Sequence, residues 1–256
     1  MLPIYFILRK HHVRQVKNRI TSSPFKNNLS IVSYYHSRIN LAIETIKHHH
    51  FASLPDSLII ENSKVFVEVL AQKKPILLCG LHQGLFELLH KVPWLELLKY
   101  DRPYAVLTAP AFSKMVTWYL NQGRTTINKQ VISNKNPLAL RRILKNQGIL
   151  AAMFDQSPLR YNKQITLWDS LILPFNERLL KIFIENEGII LPISTIKTDS
   201  TQHIVKFHLP LHQSGNKIFQ AEIWKKKISL FLEQEISKAP EQWNWSYPGI
   251  QIFEVK

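Results

Sequence analysis

From about Val65 onward, short apolar runs alternate with segments of helical periodicity, and that alternation restricts the chain to a sheet covered by helices. Strands are expected at Ile76–Cys79, Tyr104–Thr108, Ile149–Phe154, Ile189–Ser194 and Ile204–His208. Helices are expected at Leu85–Leu98, Ala111–Asn121, Pro137–Asn146 and Glu177–Glu187. A longer one over Phe219–Ile236 carries Trp224, Ile228, Leu232 and Ile236 on one face. The expected fold class is α/β, a mixed, mostly parallel sheet covered by helices. Ligands gather in such sheets where strands end and helices begin.

Residues 1–64 read differently, as a helical and basic N-terminal arm ahead of one catalytic domain at 65–256. Val32, Tyr35, Ile39, Ile43 and Ile46 recur at helical spacing, and Lys47-His48-His49-His50 places cations at the C-terminus of that helix. Consecutive side chains point in different directions, so the histidine run is a solvated helix end rather than a metal site. Met1–Leu8 is apolar and a basic patch follows, the reverse of a secretory signal. That order suits either a short membrane-dipping anchor or a segment packed on the domain. No run of 18 apolar residues occurs.

Lys plus Arg number 33 against 18 Asp plus Glu, a formal charge of +15 that favours an anionic partner. Lipid headgroups, an acidic carrier protein, phosphorylated sugars and nucleic acid all qualify. The cations are scattered and no nucleic-acid-binding signature occurs, so nucleic acid ranks last. The single cysteine, Cys79, excludes an intramolecular disulfide and a thiolate zinc site. Cys79 lies in an apolar strand, where burial keeps a thiol inert.

The segment with the most chemistry is Ile76-Leu77-Leu78-Cys79-Gly80-Leu81-His82-Gln83-Gly84-Leu85-Phe86-Glu87. A strand ending at Gly80 and a helix beginning at Leu85 put His82 in the intervening loop. Glu87 then falls about one turn inside a helix expected to kink at Pro93. From there Glu87 is expected to turn back and hold one imidazole nitrogen, leaving the other to take a proton from a hydroxyl. A helix-capping histidine near an acid is the plainer alternative.

Four blocks in order resemble the bacterial lipid A late acyltransferases, the lauroyl/myristoyl transferase group of the lysophospholipid acyltransferase superfamily. Gly80–Glu87 is similar to that family's histidine-x4-acid motif. Gly123-Arg124-Thr125-Thr126-Ile127-Asn128-Lys129 resembles its glycine-arginine block. Leu138–Gly148 followed by Ile149–Gln156 resembles a helix, a glycine, a strand and an aspartate at the strand end. Ala239-Pro240-Glu241-Gln242-Trp243-Asn244-Trp245 is close to its near-C-terminal signature. The resemblance covers roughly residues 12–245 and implies a glycerolipid acyltransferase-like sheet.

It also implies the reaction. A fatty acyl thioester, on acyl carrier protein or coenzyme A, is attacked by a hydroxyl of a lipid A precursor or similar membrane glycolipid. His82 is the implied base and Glu87 its orienting acid. No Gly-x-Ser-x-Gly nucleophile is present, no enzyme-bound acyl intermediate is needed, and no metal or redox cofactor is implied. Arg124 is a candidate for binding a phosphate or stabilising the oxyanion. Asn128 and Lys129 are further substrate-binding candidates. Asp155 is expected either to orient Arg124 or another basic group, or to cap the Asp-Gln-Ser-Pro turn. Glu241 and Gln242 are expected to organise the C-terminal fold, with Trp168, Trp243 and Trp245 in the core.

The implied location is the cytoplasmic face of a bacterial inner membrane, peripheral or through a short N-terminal anchor. Two departures from the family pattern point to an altered pocket and a different, less phosphorylated acceptor. Phe175-Asn176-Glu177-Arg178 replaces a small-residue stretch after Pro174, and Ser246-Tyr247-Pro248-Gly249 replaces a basic run after Trp245. The alternatives are an acyltransferase for a lysophospholipid or other lipid, or a non-catalytic descendant that binds lipid or carrier protein.

Overall fold

The computed structural model describes residues 10–48, 54–97, 100, 102–108, 118, 121–122, 124–125, 129–133, 136–157, 163–198, 202–213 and 217–253. In chain order these form α1 (Lys10–Thr21), α2 (Ile31–Lys47), β1 (Leu58–Glu61), α3 (Ser63–Ala71), β2 (Ile76–Gly80), α4 (Leu88–Leu97), β3 (Tyr104–Thr108), β4 (Lys129–Ser133) and α5 (Pro137–Lys145). There follow β5 (Ile149–Met153), β6 (Gln164–Leu167), β7 (Leu171–Pro174), α6 (Glu177–Glu185), β8 (Ile189–Lys197), β9 (His203–Phe207), α7 (Lys217–Lys238), a 3-10 turn at Pro240–Gln242, and β10 (Gln251–Ile252).

The main sheet has seven strands in the order β1-β9-β8-β2-β5-β3-β4. Strands β8, β2, β5, β3 and β4 run parallel. β9 pairs antiparallel with β8, and β1 parallel with β9. The fold is α/β with a mixed, mostly parallel sheet, as the strand–helix alternation predicts. A three-stranded antiparallel sheet, β10-β7-β6, stands beside it.

The central strands are buried on both faces, and their side chains alternate between two cores. Leu77, Cys79, Leu150, Ala152 and Ile190 point into one core, while Ile76, Leu78, Ile149, Ala151, Ile189 and Leu191 point into the other. The first core is closed by α1, α2, α5, α6, α7 and the small sheet, the second by α3 and α4. The expected face of α7 holds, since Trp224, Ile228, Leu232 and Ile236 are all fully buried.

The basic arm packs into the same core rather than hanging from it. Val16, Ile20, Tyr34 and Tyr35 join the first core, and Arg19 Nη1 donates to the Trp245 carbonyl at 2.8 Å. The stretch 54–64, placed with the arm in the sequence reading, contributes β1 to the main sheet. On α2 the repeating apolar residues mostly face outward. Tyr35 is buried, whereas Val32, Ile39, Ile43 and Ile46 are 42–64% exposed. Met1–Leu8, His49, His50, Gly123 and Asn128, with nearly all of the expected helix Ala111–Asn121, lie outside the described residues.

Candidate active site

β2 and β5 are parallel neighbours whose last residues, Gly80 and Met153, are register partners. The Phe154 amide donates to the Gly80 carbonyl at 3.0 Å and extends the ladder by one step. His82 and Asp155 each stand two residues beyond those strand ends, so the register alone sets them side by side. β2 also pairs with β8 on its other edge, so the chain order reverses around β2 at the carboxyl ends of the strands.

Asp155 is fully buried and accepts from the His82 backbone amide at 2.9 Å, from His82 Nδ1 at 2.9 Å and from Trp243 Nε1 at 2.8 Å. A carboxylate can only accept, so its contact with Nδ1 assigns the proton of the neutral imidazole to that nitrogen. Nε2 is left as the acceptor, with no partner among the described residues, on a side chain 22% exposed. The Phe86 ring lies against the imidazole at a centroid distance of 5.0 Å.

The His82 loop is pinned from several sides. Buried Gln83 donates through Nε2 to the Glu235 carbonyl at 2.9 Å and the Ala239 carbonyl at 3.1 Å, capping the end of α7. The Asn244 amide donates to the His82 carbonyl at 3.1 Å. Gly84 has φ +55°, and a Cβ there would sit 2.7 Å from the Thr195 carbonyl oxygen. Only glycine fits both constraints.

Glu87 is placed differently from the sequence expectation. α4 begins at Leu88, so Glu87 lies in the turn before the helix, and its oxygens are taken by other groups. His90 Nε2 is 2.6 Å from Oε2, Arg124 Nε donates to Oε2 at 3.1 Å, and Arg124 Nη2 donates to Oε1. The acid on the imidazole is Asp155, and Glu87 instead holds the arginine. Burial pushes the Glu87 carboxyl up, but the Arg124 charge and the hydrogen bonds from His90 and Arg124 outweigh it and hold the group well below the usual carboxylate range. Burial lowers Arg124, and the Glu87 charge more than restores it.

Of the other expected site residues, Lys129 opens β4 at the edge of the sheet. Cys79 is a buried thiol whose pKa is raised well above its ordinary value by burial, as its strand position implies. Gln242 Oε1 accepts from the Lys197 amide at 2.8 Å, and its Nε2 donates to the Lys197 carbonyl at 2.7 Å. That pairing clamps the 3-10 turn to the end of β8 and gives Gln242 the organising role expected of it. Trp243 is the residue that sequence reasoning left in the core. It is fully buried, yet its indole N–H completes the Asp155 shell.

Residues 26–248 match the family of bacterial lipid A biosynthesis acyltransferases. The chain belongs to that family. It is an acyltransferase acting on lipid A-type acceptors, with an acyl donor and a lipid acceptor as its substrates. A search of curated proteins returns no relative of this acyltransferase. Among the described residues, no helix of the acyltransferase is long and apolar enough to cross a membrane.

Proposed function

We propose that the enzyme transfers a fatty acyl chain from a thioester, on acyl carrier protein or coenzyme A, to a hydroxyl of a lipid A precursor. His82 Nε2 takes the hydroxyl proton as the oxygen attacks the thioester carbonyl. The C–S bond then breaks, and the departing thiolate receives that proton from the imidazolium. The transfer is redox-neutral and its donor is already activated, so a thioester co-substrate is the only cofactor required.

Asp155 fixes the tautomer and stabilises the imidazolium, and Trp243 and the His82 amide hold Asp155 in place. Glu87 acts through Arg124, whose guanidinium it orients for a developing oxyanion or a phosphate. Asn128 and Lys129 follow Arg124 in the same block and are proposed as acceptor contacts. The observation that carries the reading is the 2.9 Å contact between His82 Nδ1 and Asp155 Oδ1, which leaves Nε2 free as a base.

The proposed place of action is the cytoplasmic face of the bacterial inner membrane, bound peripherally. The exposed apolar stripe Val32, Ile39, Ile43 and Ile46 on α2 favours a lipid surface, and the +15 charge favours an anionic one. Acyl transfer from labelled acyl carrier protein and acyl coenzyme A to a panel of membrane glycolipids tests donor and acceptor together. Transfer that requires one thioester and one phosphorylated disaccharide lipid is expected. Transfer only to lysophospholipids would refute the acceptor assignment.

A further inference from the structure

α2 carries two unlike surfaces side by side. Val32, Ile39, Ile43 and Ile46 make its exposed apolar stripe. On the neighbouring face His36, Ser37 and Asn40 line a cleft of ≈ 280 Å³, closed opposite by Lys197 at the end of β8 and by Glu241 and Gln242 of the 3-10 turn. Residues three or four apart adjoin on a helix surface, so His36 borders Ile39 and Asn40 borders Ile43. The polar cleft and the apolar stripe therefore share an edge.

The walls of the cleft are fixed. Gln242 is bonded through both ends of its amide to the Lys197 backbone, and the Lys197 ammonium pairs with Glu44, one turn beyond Asn40 on α2. α2 also packs on the 3-10 turn. Both walls continue into the active site. Gln242 directly precedes Trp243, which donates to Asp155. Lys197 lies two residues beyond Thr195, whose carbonyl abuts Gly84 in the His82 loop.

The lining selects for hydroxyl groups over anions. Asn40 Nδ2 lies 3.4 Å from His36 Nδ1, which leaves Asn40 Oδ1 and His36 Nε2 without a partner among the described residues. The Ser37 hydroxyl has none among them either. These groups both donate and accept, as a hydroxyl does. A phosphate would meet no uncompensated lysine, because Glu44 balances Lys197, and it would meet the Glu241 carboxylate as a like charge. Sites that enclose whole small molecules run to about 300–1,000 Å³, so a cleft just below that range takes one ring-sized polar group.

We propose that this cleft binds a sugar ring of a membrane glycolipid through the ring hydroxyls, with the lipid chains lying along the stripe from Val32 to Ile46. The inference rests on the proposed acyl transfer for the choice of a glycolipid. It makes the cleft an acceptor-binding site, separate from the proton transfer at His82.

The test is equilibrium binding by the full-length enzyme in mixed micelles, read without turnover. Two probes with the same acyl chains are compared, monoglucosyl diacylglycerol and phosphatidylglycerol. His36 and Asn40 are exposed, so the double variant His36→Ala/Asn40→Ala should keep the fold. It should weaken binding of the glucosyl lipid about tenfold and move phosphatidylglycerol by no more than about twofold. Ser37→Trp, which fills the cleft from the helix side, should do the same.

Unchanged affinity for the glucosyl lipid in these variants overturns the site, as does no binding of that lipid by wild type. An equal loss for both probes also overturns it, since a weakened general contact with lipid would produce that result. Should one variant fail to fold, the other decides. A loss selective for the sugar lipid supports the cleft even where wild type transfers no acyl chain. Normal transfer with an unmoved affinity for the sugar lipid removes the cleft and leaves the proposed reaction intact.

Discussion

His82 and Asp155 are 73 residues apart in sequence and face each other across 2.9 Å because each stands two residues beyond the end of one of two neighbouring parallel strands. The ladder between β2 and β5 thus builds the pair before any loop conformation is considered. What the loops add is restraint. Trp243 and the His82 amide bind the carboxylate, and Gln83 and Asn244 bind the loop.

Replacing Asp155 with Asn should lower kcat on the order of 10²–10⁴-fold, because the amide no longer selects the Nδ1-protonated imidazole. KM for the donor should change little. Trp243→Phe removes one of the donors to Asp155 and should cost about tenfold or less. Steady-state kinetics on variants with native circular dichroism checks both.

Glu87 and Arg124 form a largely buried pair, 11% and 14% exposed in their side chains. Removing one partner leaves the other uncompensated, so Glu87→Gln and Arg124→Gln should each destabilise the fold by about 3–5 kcal/mol. The double variant should lose less than the sum. Urea unfolding of the three proteins measures the coupling.

The pair also sets a pH dependence. The folded-state pKa of Glu87 lies below its ordinary value of 4.5, so its stabilisation is present above about pH 4.5 and is lost as pH falls toward the lower folded value. Wild type should lose stability through that acid window, and Glu87→Gln should show a shallower decline. Thermal melts between pH 3 and pH 7 read the difference.

Much of the sheet was legible in the sequence, because central strands buried on both faces are continuous apolar runs bounded by turns. Ile76–Gly80 and the opening half of Ile189–Lys197, residues 189–193, are of that kind. The shorter strands were not. Leu58–Glu61 is an edge strand with exposed Ile59 and Ile60. The β6–β7 hairpin turns through Trp168 and Asp169, both at positive φ, with no glycine to announce it.

The site divides along the same line. Spacing identified His82 and placed Asp155 at a strand end, but joining them requires knowing that β5 lies next to β2, although β3 and β4 intervene in the chain. Trp243 was hidden because a buried tryptophan reads as core until its N–H partner is known. Glu87 was misassigned a neighbour because the helix starts at Leu88 rather than Leu85, which changes where its carboxylate points.

The apolar stripe of α2 should bind membranes. Changing Ile39, Ile43 and Ile46 to Gln should weaken binding to anionic vesicles by at least tenfold while leaving the melting temperature within a few degrees of wild type. Vesicle co-sedimentation at two salt concentrations separates this apolar contribution from the charge. A large drop in melting temperature would instead mean that the stripe supports the fold.

Gly84→Ala should destabilise the protein by about 2–4 kcal/mol, since it combines a left-handed backbone with a contact against the Thr195 carbonyl. Activity should fall beyond the loss of folded protein, because the same loop carries His82. Differential scanning calorimetry paired with specific activity tests it.

The most direct test of the general-base assignment is single-turnover acyl transfer from a labelled thioester to a lipid A precursor by wild type and His82→Gln. Wild type should transfer the chain, and the variant should be slower by about 10²–10⁴-fold with unchanged substrate binding. A folded His82→Gln enzyme that transfers at the wild-type rate would contradict the role given to His82.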